Sequence, residues 1–343
     1  MLPNIQASID FVVARLHGLM ASSVRGDTLE NLAKSTTEEL LRRNLRSLGI
    51  DCANRAEYHN FIYEREIGRI DRVARMLPAK AAAFYIAIEA RVYFENLKTA
   101  LHWRFSRGER SAAAPEFTES PNTPRFDSKA IGEARDGRAF MQCIPQYGVF
   151  GRDELASIVR GLEETGNLLM SDSAVDQAYY AQLWHAAHSM KSAVGHEACR
   201  LLGIEIDILN LNTLMRNAQT YHFDASVMSR IWLDNGEMYD RHSLDELAKK
   251  HSLAETKAAL NGKYRRILDA VEGQELYQCE NALWNHLYSE AHRSFLAIDE
   301  PSLSIAAFPF LVHFETLNLG RIYEGIYFGI PSQNILDIMI GGR

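Results

Sequence analysis

The sequence predicts an all-α protein made of three similar helical repeats. Two observations carry the prediction: apolar residues recur at spacings of three and four along most of the chain, and two short motifs return three times in one order. The length, 343 residues, suits two or three domains at about 150 residues each. A chain of this size buries a core without disulfides or metal.

The first helix takes its stripe from Ile5, Ile9, Val12, Val13, Leu16, Leu19 and Met20. Thr36 and Glu39 read as a capping box opening a second helix, which Gly49 closes. Arg55 to Leu77 is a charged helix stopped by Pro78, and Ala79 to about Phe105 is one buried helix, apolar nearly all round at its centre. Ser106 to Asp127 contains three prolines and no period, so a flexible linker is expected there. A second helical block spans Arg152 to about His222. In it Ile204, Ile206 and Ile208 alternate as in a strand, but Ile204, Ile208, Leu211 and Met215 extend a helical spacing over a longer window, which favours helix. Asp234-Asn235-Gly236 is a turn. The third block opens with capping boxes at Ser243–Glu246 and Ser252–Glu255. Pro301 divides its two long helices, and Gly329-Ile330-Pro331 ends the last.

The repeat rests on Leu32, Leu155 and Leu247, each followed by Ala and preceded at two residues by an acid, and on Asn96, Asn210 and Asn318, each followed by Leu inside a long apolar helix. Successive Asn residues stand 114 and 108 apart, close to a third of the chain. The expected divisions are 1–125, 126–233 and 234–343. Asn is a poor helix-interior residue because its amide competes with the backbone, so each amide should have a partner, expected on a neighbouring helix. These positions read as architectural rather than catalytic.

Known chemistry is hard to find. A net charge of −7 excludes a broadly basic nucleic-acid binder. Cys52, Cys143, Cys199 and Cys279 form no Cys-x-x-Cys and read as reduced thiols of a cytoplasmic protein. The longest apolar run near the end, Ser302 to Phe314, is shorter than the roughly 20 residues of a membrane span. P-loop, dinucleotide, Glu-x-x-His and His-Glu-x-x-His motifs are absent, and no cofactor is expected. His185, His188 and His196, with Glu197 and Cys199 close by, are the weak candidates for a metal site. The aromatic groups around Tyr93, Tyr179 and Trp284 read as core. No enclosed pocket of converging ionisable groups is expected.

The run His313–Ile335 (HFETLNLGRIYEGIYFGIPSQNI) resembles the closing signature of the V-type/A-type ATPase subunit called C in prokaryotes and d in eukaryotes, through Glu315, Asn318, Leu319, Arg321, Gly325, Gly329, Ile330 and Pro331. Val13–Val24, Tyr93–Arg104 and Asp207–Arg216 resemble earlier segments of the same family. Gly320 and His102 stand where the family commonly has Arg, and Gly320 suggests close helix contact. The resemblance implies a funnel of three helical domains with pseudo-threefold symmetry. It implies a non-catalytic rotor adaptor between central-stalk subunits of D and F type and the membrane rotor ring, on the cytoplasmic side and without a span of its own. A helical scaffold outside the ATPase, or a His-ligated metalloenzyme, are the other readings.

Overall fold

The structure, a computed structural model, describes residues 8–106, 115–148, 150–271 and 275–341. The chain runs through α1 (Ile9–Ala21), α2 (Asp27–Ala33), α3 (Glu38–Ser47), α4 (Arg55–Ala74), α5 (Ala79–Glu89) and α6 (Arg91–Phe105). Next come α7 (Ser128–Glu133), α8 (Gly137–Cys143), α9 (Arg152–Thr165), α10 (Leu168–Ser189) and α11 (Ala193–Arg216), which ends in a π-turn at Asn217–Tyr221. Then follow α12 (Ala225–Met228), α13 (Arg241–Leu247), α14 (Leu253–Ala259), α15 (Gly262–Asp269), α16 (Leu276–Phe295), α17 (Leu303–Tyr327) and α18 (Ser332–Asp337). The fold is all-α: among the described residues, β pairing is confined to an isolated bridge between Tyr147 and Phe150.

The long helices form a closed circuit. α4 packs on α5, α5 and α6 on α10, α10 on α11, α11 on α16, α16 on α17, and α17 returns to α4. Most of their apolar residues share one core. A second, smaller core joins α2 and α3 to the end of α17 and to α18 through Leu32, Leu45, Tyr58, Leu319, Tyr323 and Ile335. Glu315 stitches the chain's two ends: Val24 N donates to its Oε1 at 2.9 Å, and Arg65 and the buried Arg69 bond its carboxylate from α4.

Several sequence expectations change. The Ala79–Phe105 helix breaks at Ala90 into α5 and α6. α7 and α8 went unpredicted, because each is two turns or fewer, holds a single large buried apolar residue (Ile131, Phe140), and starts from an Asp cap rather than a visible period. The cap of α3 is Thr37, one residue past Thr36, and that of α13 is Asp240, with Ser243 inside the helix; Ser252 caps α14 as expected. α1 buries only Val12, Leu16 and Met20, and Ile9 is half exposed. Ile5 and residues 107–114 of the expected linker lie outside the described residues. The linker's later half is held: Ser120 and Asn122 both donate to Glu89, and Phe126 packs into the main core.

α11 is helical throughout, with Ile204, Ile206 and Ile208 all buried. α17, longer than the apolar run picked out in the sequence, is long and apolar enough to cross a membrane; 78% of that stretch is buried inside the protein, as for a core helix.

Candidate functional site

The three Asn residues do one job three times. Asn96 donates to Thr118 O (2.7 Å) and accepts from Thr118 N (3.0 Å). Asn210 does the same to Leu233 (2.9 and 2.9 Å), and Asn318 to Ile340 (2.7 and 2.9 Å). The gripped residue is 22 or 23 positions downstream each time. The partner is therefore the backbone of the loop that follows the Asn helix, not a neighbouring helix. A side-chain amide can satisfy both the N–H and the C=O of one extended residue, which no neighbouring apolar side chain could do.

Other fixed offsets from these Asn residues recur. Three positions earlier, Tyr93 donates to Pro145 O (2.8 Å), Asp207 accepts from the backbone of Met238 and Tyr239 (2.8 and 3.2 Å), and Glu315 accepts from Val24. Six positions later, His102 meets Asp172 on α10 (2.9 Å), Arg216 grips Glu280 on α16 (2.6 and 3.0 Å), and Glu324 is gripped by Arg55 on α4 (2.8 and 2.7 Å) and bonded by His59. His102 thus occupies the place of Arg216. The charge order is reversed at Glu324, where the acid lies on the Asn helix.

Five positions before each Asn stand Arg91, Glu205 and His313, which meet. Arg91 donates to Glu205 Oε1 (3.0 Å) and to His313 Nε2 (2.6 Å). A guanidinium can only donate, so His313 Nε2 accepts and its Nδ1–H donates to Glu66 Oε1 (3.0 Å). Tyr180 O–H donates to Glu205 (3.0 Å). Glu66, Arg91, Glu205 and His313 line a cavity of about 20 Å³, one water in size, to which α4, α5, α6, α10, α11, α16 and α17 all contribute. Burial works to raise the Glu66 pKa, yet His313 and Arg91 outweigh it and hold the carboxyl below its ordinary range. Burial likewise opposes the Arg91 charge, and the surrounding tyrosines and carboxylates more than offset it. Converging ionisable groups were not expected. They form a network bonded to itself, with no room beside it for a substrate.

The other candidates part company. His185, His188 and His196 are all exposed, Glu197 is taken by Arg200 (2.8 Å), and among the described residues no three His, Cys, Asp or Glu side chains could share a metal ion. All four cysteines are free. Leu32, Leu155 and Leu247 are buried, but Leu155 lies on the helix directly before a long pair, whereas one and two helices intervene after Leu32 and Leu247. Arg321 bonds Ile338 O and reaches Asn281 Oδ1 at 3.5 Å. A Cβ at Gly320 would touch only Ile62, at 3.9 Å; the close helix contact is at Gly325, where a Cβ would fall 2.6 Å from Ile335. Sequence reading missed Arg91, Glu205 and His313. Their common offset from the Asn residues was the available signal, hidden because three different residue types fill it.

The ordered motifs of the whole chain match one family, described as ATP synthase (C/AC39) subunit, over residues 12–338. The chain belongs to this family. A search of curated proteins returns no match. As a C/AC39 subunit the protein is a component of V/A-type rotary ATPases, and all three Asn helices fall within the matched residues.

Proposed function

We propose that this C/AC39 subunit is the non-catalytic rotor adaptor that joins the central stalk to the membrane ring. The observation that carries the reading is the threefold recurrence around a closed circuit. Three Asn helices each grip their own trailing loop, and they meet at Arg91, Glu205 and His313. That recurrence supports three copies of one module, divided near 125 and 233, set about a common axis.

An adaptor must pass torque without yielding. Closely packed helices have low compressibility and transmit strain. A circuit without a free edge distributes a twisting load over every seam. The polar cluster at the axis is spent on holding helices together rather than on chemistry. Stalk subunits of D and F type at one end and the ring at the other are the partners this role requires, with the protein peripheral to the membrane on its cytoplasmic side.

Reconstitution tests it. Purified protein added to a rotary ATPase stripped of this subunit should rejoin stalk and ring in one particle by native mass spectrometry and restore ATP-driven ion transport. Failure to bind either end, with ion transport unaffected by its presence, refutes the reading.

A further inference from the structure

The three seams of the circuit are not filled alike. Two positions after the Asn, Lys98 reaches across to Asp176 on α10 (3.0 Å), and Asn212 is buried on α11. At the third seam that position is Gly320, where a Cβ would meet only Ile62, at van der Waals distance (3.9 Å). The result is a groove of about 480 Å³ between α4, α17 and α18, floored by Leu317 and Gly320 and walled by Ile62 and Ile338. Tyr63, Phe328 and Ile330 stand exposed at its edge, Phe328 at 65%.

The groove lining is not wholly apolar: it holds the guanidinium of Arg321, the imidazole of His59 and one acid, Glu324. Glu324 is occupied by Arg55 and His59. Among the described residues Arg321 contacts only amide and carbonyl oxygens. The nearest acid acting on it, Glu280, is bonded by Arg216. A half-buried guanidinium beside apolar walls, without a carboxylate, is matched by an acid arriving with an apolar segment. Arg55 lies over the rings of Tyr327 and Phe328 (5.0 and 5.6 Å) while Glu324 fixes it, so the aromatic edge is held in place before anything docks.

We infer that this groove receives an apolar segment of another ATPase subunit, one carrying an Asp or Glu that pairs with Arg321. The inference rests on the adaptor reading and names a contact within it. The segment supplies at the third seam a contact like the one Lys98 makes to Asp176 at the first. Exposed aromatic and Arg groups clustered at an apolar groove are the residues that dominate binding energy at interfaces.

The test uses the reassembled ATPase. A photoreactive benzophenone side chain replaces Phe328, and a control copy carries it at Ile298, an exposed residue outside the groove lining. Illumination should join position 328 to one acidic, apolar segment of one other subunit. Gly320→Leu fills the groove floor and Phe328→Ser removes the edge; each should weaken incorporation into the complex by about tenfold or more while melting no lower than the wild type. Cross-links from 328 to lipid, to a second copy of this chain, or to a segment lacking Asp and Glu overturn the inference. So does normal incorporation of both variants, which leaves the adaptor role standing. Wild-type protein that fails to enter the complex overturns both.

Discussion

Asn210 shows how much one side chain can decide. Its amide bonds both backbone groups of Leu233 in a buried place, with no other partner for them among the described residues. Asn210→Leu leaves a buried N–H and a buried C=O unsatisfied, at about 1–3 kcal/mol each. Urea unfolding should show that loss, and Asn318→Leu should match it through Ile340; unchanged midpoints would remove the clamp from the account. Asp207, in the same helix, carries a different signature. Burial raises its carboxyl to about 6 against the donors of Met238, Tyr264 and Tyr239. The unfolded group titrates near 3.8. Between those values the folded chain keeps a proton that the unfolded chain has released, so folding loses stability as pH rises through this window. Relative to Asp207→Asn, the wild type should lose about 3 kcal/mol between about pH 4 and pH 7. A difference that stays constant across that range would contradict the assignment.

At the scale of the element, two glycines of α17 make opposite forecasts. A Cβ at Gly320 would meet only Ile62, at an ordinary 3.9 Å, so Gly320→Ala should raise stability by about 1 kcal/mol through helix propensity. Gly325 touches Ile335 of α18, so Gly325→Ala should lower stability and speed amide exchange in α18. Equal effects from the two would mean that α18 does not seat on Gly325. The sequence placed a close contact at Gly320 because it read only the helix it belonged to. What lies across from a residue is set by how elements pack, here Ile62 of α4 against Gly320 and Ile335 of α18 against Gly325, and no periodicity within α17 encodes it. By contrast the long helices were legible, since their periodicity is itself the imprint of burial on one face, and Pro78, Pro301 and Gly329 mark where they stop. α7 and α8 were not, because a two-turn helix is too short to show a period.

At the scale of the molecule, a buried network ties four helices through Glu66, His313, Arg91 and Glu205. Arg91→Met strands Glu205 and should cost about 3–5 kcal/mol, as breaking one side of a buried pair does. Arg91→Met with Glu205→Leu should recover part of that loss, because no buried charge is then left alone. A double variant as weak as the sum of the two singles would show that the pair does not couple. The equal spacing of the three Asn residues was visible in the sequence, while the meeting point of their helices was not. Convergence is a property of three dimensions, and the residues that meet share an offset but no chemistry.

A closed circuit has a consequence for biosynthesis. Arg65 and Arg69 leave the ribosome some 250 residues ahead of Glu315, the acid that neutralises them. Until then the apolar flank of α4 has no counterpart, and a nascent chain must wait, solvated and vulnerable to chaperone capture or clumping, for its penultimate helix before the last seam can shut.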